Sequence, residues 1–373
     1  MSIKNTIIRN IVNIPGWSTK RHIVIFESDD WGSIRTTSRE IRDKMMAIGY
    51  PMGSFSSLDS IESNDDMVGL FDILTKHCDC NGNNACFTGV CITGNPDFDK
   101  IQQEKYTSYH WEKMTDTLKR YSKRDCVEKL YHEGIDRKIF IPIFHGREHL
   151  NAQRWLRHLQ EKNKSVLTAF KMGVTGIDGG INGEMVGDFQ AAFDLDSPSD
   201  LPFMATMIRE GITTFKDLWG YNPSYFVPTN GPFNNSLQPV LKECGIKYIY
   251  ADRIQNEPLG YGKYARHYHY IGMVNKYDQL CITRNGFFEP SIKEGGLSIQ
   301  PLENCLLAIE RAFRWNKPAI ISSHRVNYVG NIEPKNRDHN LKLLDSLLTQ
   351  IEKRWPDVEY MSTIELGRII KGL

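Results

Sequence analysis

The sequence predicts an α/β fold in which parallel strands alternate with helical crossovers. Three observations carry this. Short apolar runs recur along the whole chain, separated by stretches with helical periodicity. The runs are almost continuously apolar rather than alternating, as in a sheet covered on both faces. Clusters of carboxylates and imidazoles follow several runs directly, where buried strands would end, and parallel barrels build their sites from such strand ends.

The expected strands are 22–27, 85–93, 138–144, 225–228, 248–251, 279–283, 319–322 and 358–361. Expected helices include 340–355, with Leu341, Leu344, Leu347, Leu348 and Ile351 on one face. Two more cover 234–244 and 301–315. Ser362-Thr-Ile-Glu365 forms a capping box that opens a last helix, stopped at Gly372. Three stretches lack clear strands: about 35–80, 97–137 and 175–222. The first two look partly helical. The third holds the glycines between Gly176 and Gly183, then Pro198 and Pro202, and reads as an elaborated loop. The chain reads as one domain over 1–373, with a core at about 20–367 and these stretches as insertions.

The 373 residues are 40% hydrophobic and 24% charged, with a net charge of +1 and both signs interspersed. No basic stripe or polybasic tail points to nucleic acid or an anionic membrane. No run reaches the roughly 18 apolar residues of a membrane span. The first ten residues lack a secretory apolar core, so a cytoplasmic location is expected. Oligomeric state is left open. The eight cysteines suit reduced thiols better than a disulfide framework. Cys78, Cys80, Cys86 and Cys91 cluster beside His77. However, their C-x-C start and the strand over 85–93 fit small buried side chains better than a zinc knuckle. The segment from Asp79 lacks the Gly and Glu of a calcium loop, having Asn84 and Val90 there. The glycines at 176–183 lack the lysine of a phosphate loop, and no G-x-S-x-G is present.

Three polar clusters remain. Asp29 and Asp30 follow the first strand. Adjacent residues on an extended chain point to opposite sides, so the two carboxylates can take different tasks. His145 and His149 are four apart at a strand's exit and on a helix or tight turn can chelate one ion. With Glu148 they also match the inverted zinc-protease motif, which requires an uninterrupted helix where this chain has a proline-containing strand. His324 ends another apolar run and could act as a general acid.

In this order the clusters resemble the polysaccharide deacetylases, carbohydrate esterase family four. Glu27-Ser28-Asp29-Asp30-Trp31-Gly32 stands where that family has T-F-D-D-G. His145–His149 matches H-S/T-x-x-H, with Gly146 at the usual Ser or Thr. Phe226-Val-Pro228-Thr-Asn230-Gly231 is similar to R-x-P-Y/W-G, with Val227 in the place of the Arg. Ile320-Ile-Ser-Ser-His324 matches a closing strand that ends in His.

The resemblance implies a distorted (β/α)7 barrel in which Asp30, His145 and His149 bind a divalent metal, zinc by preference. It implies Asp29 as general base and His324 as general acid. The reaction would remove an acetyl group, N-acetyl first, from an acetylated sugar or oligosaccharide. Asn230 would touch substrate. Arg284, after another strand, could replace the missing Arg beside the base, contact substrate, or be a surface residue at a turn. Trp31 could stack on a sugar or pack in the core. Two alternatives stand beside this: a glycoside hydrolase pairing Asp29 or Asp30 with Glu148 or Glu289, and an inactive carbohydrate-binding barrel, favoured by Val227.

Overall fold

The computed structural model describes residue 10 and residues 13–373; the N-terminal segment screened above for a leader lies otherwise outside them. The strands, in chain order, are β1 (His22–Trp31), β2 (Phe87–Ile92), β3 (Gly94–Pro96), β4 (Trp111–Lys113), β5 (Phe140–Gly146), β6 (Tyr225–Phe226) and β7 (Tyr248–Tyr250). They continue with β8 (Ile254–Gly260), β9 (Lys263–Tyr268), β10 (Leu280–Ile282), β11 (Gly286–Phe287), β12 (Ala319–His324) and β13 (Val358–Tyr360).

Nine of these make one parallel sheet in the order β10–β7–β6–β5–β2–β1–β12–β11, with β13 paired to the start of β1. All eight expected strands lie in it. Its edge strands β10 and β11 are separated only by Thr283, Arg284 and Asn285. Four extended steps reach at most about 14 Å, so the edges must come together and the sheet curls into a barrel. At the seam, Ala251 N donates to Ile282 O on one side and Asn285 N to Ile320 O on the other. The fold is a distorted (β/α)7 barrel, with the two-residue β11 at its seam.

Strand alternation divides the core. Ile23, Ile25, Val90, Ile143, Tyr225 and Ile320 pack together inside the barrel. Val24, Phe26, Phe87, Phe140 and Ile321 face outward against the helices. The helix Pro334–Arg354 buries the five apolar residues read from its periodicity. Ser362 and Glu365 form both hydrogen bonds of the capping box, and the helix ends at left-handed Gly372.

Two expectations need correction. The stretch 175–222 is not loop throughout, because Leu201–Trp219 is a helix that covers the sheet. Pro202 sits in its first turn, where the missing N–H costs nothing. The chain also forms two antiparallel hairpins outside the barrel sheet, β3–β4 and β8–β9, neither read from sequence.

Candidate metal and catalytic centre

The centre lies at the C-terminal ends of β1, β5 and β12. Glu27 and Asp29 continue the inward-facing series of Ile23 and Ile25. An unbroken strand would send Asp30 to the opposite side. Instead, β1 is irregular against β2 between Ser28 and Trp31. Asp30 adopts φ +78°, a left-handed conformation costing a non-glycine residue roughly 1–2 kcal/mol. Such bulges re-aim side chains at strand ends. Here it brings the Asp30 carboxylate to the two histidines. The Ser33 hydroxyl donates to Asp30 O at 2.7 Å and holds the turn.

Asp30 Oδ1 lies 3.0 Å from His149 Nε2 and 3.6 Å from His145 Nε2. All three residues are buried, with ligand atoms within 4.8 Å of one another. His145 Nδ1 lies 2.8 Å from Val227 O. A carbonyl can only accept, so this nitrogen carries the proton and the neutral ring's lone pair is on Nε2. That Nε2 is buried, has no hydrogen-bond partner and faces a carboxylate. The three could hold a cation: two imidazole nitrogens and a carboxylate oxygen are the donor set of three-ligand zinc sites. Burial lowers the pKa of His149 despite Asp30 and keeps it neutral. Burial pushes the Asp30 carboxyl up, but His149, His145 and Arg35 together hold it well below the usual range.

His149 lies in a turn after β5, not on a helix. Glu148 is buried and bound to the Arg147 guanidinium at 2.5 and 2.6 Å. The inverted-protease reading therefore lacks both its helix and its base.

On the other side of Asp30, Arg284 grips Asp29. Nη1 and Nη2 each lie 2.6 Å from an Asp29 oxygen, and Nε lies 2.6 Å from Glu27 Oε2. Glu27 is fully buried and also accepts from Thr363 Oγ1 at 2.5 Å and Tyr225 OH at 3.3 Å. Arg284 thus sits beside Asp29, as one of the sequence readings had it, and is buried rather than a surface residue at a turn. With all three donor nitrogens on these carboxylates, it is not placed as a substrate contact. Burial raises the Asp29 carboxyl, but the charge and hydrogen bonds of Arg284 outweigh this and leave its pKa below normal.

His324 Nε2 lies 3.9 Å from Asp29 Oδ2, and Nδ1 lies 2.6 Å from Glu289 Oε1. Glu289 is itself held by Asn327 Nδ2 at 2.8 Å. Burial lowers the His324 pKa, but Glu289 and the nearby aspartates more than reverse this and raise it to about 9. Phe55 meets the His324 ring edge-on at 5.1 Å.

A cleft of about 550 Å³ opens over these groups, lined by Asp30, Arg35, Phe55, His324, Asn230 and the loop 177–188. Asn230 stands exposed at its rim, its Nδ2 3.2 Å from Asp188 Oδ2. The stacking role for Trp31 is corrected. Its side chain is fully buried, donates from Nε1 to Ser28 Oγ at 2.9 Å and meets Phe140 edge-on. It offers no face to a ligand. The eight cysteines are unpaired; Cys86 and Cys91 are buried, whereas Cys78 and Cys80 are exposed. His77 contacts Asp345 and Glu352.

Sequence reasoning missed Glu27 as the anchor of Arg284, Glu289 as the holder of His324, and Arg35, 3.5 Å from Asp30. Only Glu27 left a signal, as an acid at an inward position of an apolar strand.

No family model and no curated relative matches the chain. Among solved structures, it is similar to a putative glycoside hydrolase/deacetylase from Parabacteroides distasonis (8% identity, 96% of this chain and 73% of that chain, TM-score 0.49). It is also similar to a probable polysaccharide deacetylase from Pseudomonas aeruginosa (10%, 94% and 91%, TM-score 0.48). A 4-alpha-glucanotransferase from Thermococcus litoralis is similar over 92% of this chain and 40% of that one (11%, TM-score 0.43). Scores below 0.5 at these identities do not decide the chemistry, which rests on the site itself.

Proposed function

We propose that the chain is a metal-dependent hydrolase that removes acetyl groups, N-acetyl in the first place, from a saccharide or glycan precursor. The observation that carries this is the convergence on one barrel end of the Asp30–His145–His149 group, the Arg284-held Asp29 and the Glu289-held His324. Asp30, His145 and His149 would hold one divalent cation, zinc by donor type. When bound, that ion supplies a Lewis acid for the acetyl carbonyl and lowers the pKa of attacking water.

The remaining work belongs to side chains. Arg284 keeps Asp29 ionised and oriented, so Asp29 is ready to accept the proton of the attacking water. Glu289 keeps His324 charged, with Nδ1 engaged and Nε2–H turned toward Asp29. His324 gives this proton to the departing amine or alkoxide. Asn230, at the cleft rim, is placed to contact the sugar. Val227 was the feature that favoured an inactive barrel. It loses that force because Arg284 supplies a guanidinium to Asp29 from the link between β10 and β11. Glu148 and Glu289, the partners a glycoside hydrolase would need, are engaged by Arg147 and His324. A cytoplasmic setting is the location this reading expects.

The test is acetate release from a panel of N- and O-acetylated saccharides, with and without a chelator and zinc. Release that needs zinc supports the reading. No release from any member by the zinc-loaded protein overturns it.

A further inference from the structure

The proposed reaction makes no use of Arg35, a guanidinium in the wall of the cleft beside Asp30. Its side chain is only 7% exposed, and the surrounding chain delivers it there. Ile34 is pinned on both sides: its N–H donates to Asn95 Oδ1 at 2.8 Å, and its carbonyl accepts from Thr175 Oγ1 at 3.1 Å. Arg35 follows, its guanidinium 4.9 Å from the centre of the Phe55 ring. Gly176 packs on the Arg35 stem. A Cβ at Gly176 would stand 2.4 Å from Arg35 Cγ, closer than side chains approach, so glycine is what leaves room for the stem. One member of the 176–183 glycine stretch thereby has a structural reason.

The guanidinium also belongs to a chain of buried charges. Arg35 Nε lies 3.3 Å from Asp59 Oδ2, without the alignment of a hydrogen bond. Asp59 is gripped by Arg325, whose Nε and Nη2 lie 3.0 and 2.8 Å from its two oxygens. Arg325 follows His324, is fully buried, and donates from Nη1 to Ser33 O at 2.8 Å and to Glu62 Oε2 at 3.0 Å. Glu62 in turn accepts from Gly32 N at 3.1 and 3.2 Å. Gly32 and Ser33 belong to the turn that presents Asp30. The chain of charges therefore ties the end of β12 to that turn and fixes Arg35 beside it.

Asp30 divides its two oxygens between its neighbours. Oδ1 faces His149 Nε2 at 3.0 Å and His145 Nε2 at 3.6 Å, whereas Oδ2 faces Arg35 Nη2 at 3.5 Å. We propose that Arg35 is a positioning residue of the metal group: it engages Asp30 Oδ2, so that the carboxylate offers one oxygen to the ion and the site favours zinc over ions that take more ligands. The inference rests on the metal-site reading and adds a reason for metal choice. Zinc is satisfied by four ligands, whereas manganese favours an octahedral, oxygen-rich shell. A carboxylate free to give both oxygens helps the second ion more than the first. The Arg35–Asp30 contact is long for a hydrogen bond, but charge attraction falls slowly with distance in a buried site. Phe55, Gly176 and Asp59 hold the guanidinium in place besides.

The experiment measures zinc and manganese affinities of the full chain near pH 7, each by equilibrium dialysis against metal-buffered solutions with metal analysis. Both ions are divalent, so loss of the Arg35 charge acts alike on each and cancels in the ratio of the affinities. The wild type is expected to prefer zinc. Arg35→Met should lose about tenfold of that preference or more, and Arg35→Lys, which keeps a cation, should retain most of it. Gly176→Ala displaces Arg35 without removing it and should lower the preference by a smaller factor. Melting curves verify folding, and where Arg35→Met does not fold, Gly176→Ala decides. A ratio in the deciding variant equal to that of the wild type overturns the proposal. With a raised KM for an acetylated sugar, that same ratio assigns Arg35 to substrate binding instead. A wild type that binds both ions without preferring zinc overturns it too. A wild type that holds neither ion removes the metal reading and this inference with it, whereas a metal-binding wild type with unchanged ratios in its variants sinks the inference alone.

Discussion

His149 and His324 stand at the same barrel end, on opposite sides of the Asp29–Asp30 pair, yet their surroundings drive them to opposite states. Burial lowers the pKa of His149, although Asp30 partly offsets it. His324 is buried too, but Glu289 at 2.6 Å and the two aspartates raise its pKa to about 9. A neutral imidazole can bind a cation and a charged one can donate a proton. Residue type is shared, but His324 Nδ1 meets the Glu289 carboxylate whereas His149 Nδ1 is buried without a hydrogen-bond partner, so burial sets the state of one ring and a carboxylate that of the other.

The same contrast divides the aspartates. Asp29 faces a guanidinium, which holds its pKa below normal against the effect of burial without filling a metal position. Asp30 is turned by the bulge toward two imidazoles. The left-handed backbone at Asp30 is thus what separates the proposed proton-accepting carboxylate from the proposed ion-binding one.

The largest expected effect breaks this comparison from the metal side. His149→Ala should reduce acetate release about a thousandfold or more, and added zinc should not restore it. Asp29→Asn comes next. It should lower kcat by about 10²- to 10⁴-fold while the protein still binds zinc, which dialysis with metal analysis would check.

Arg284→Gln sharpens the picture. Without the guanidinium, burial dominates and the Asp29 pKa rises, so the acid limb of the kcat–pH profile should move to higher pH, with kcat down about tenfold or more. Glu289→Gln acts on the opposite limb. In the proposed mechanism, the acid function of His324 would be present below about pH 9 and lost as pH rises through that value. Removing the carboxylate should bring this limb to lower pH, and a profile with an unchanged alkaline limb would remove His324 as the acid. The smallest effect is expected at Trp31. Trp31→Phe loses the bond to Ser28 and some packing, and should cost about 1–2 kcal/mol in denaturant unfolding with KM unchanged.

Much of this was readable from the sequence because it is local. Each apolar run of the barrel became a strand of one sheet, and the 340–355 periodicity became the buried face of Pro334–Arg354. The residues proposed to hold the metal and to carry protons stood out as polar residues at strand ends, and their roles came from the family resemblance. What escaped was non-local or conformational. The link from Glu289 to His324 spans 35 residues, and that from Glu27 to Arg284 spans 257. The left-handed turn at Asp30 leaves no mark in a D-D pair. The motif left Trp31 open between a stacking wall and core packing, and its side chain lies in the outer core. The helix Leu201–Trp219 was hidden by Pro202 and the glycines before it, although Met204, Ile208, Ile212 and Phe215 already repeat at helical spacing.

The claim that surroundings divide these histidines into ligand and acid is tested most directly by zinc stoichiometry. Wild type, His149→Ala and His324→Ala would be dialysed against zinc near pH 7 and analysed for metal. One ion per chain in the wild type and in His324→Ala, with none retained in His149→Ala, is the predicted result. An unchanged ion in His149→Ala, or none in the wild type, would contradict the account.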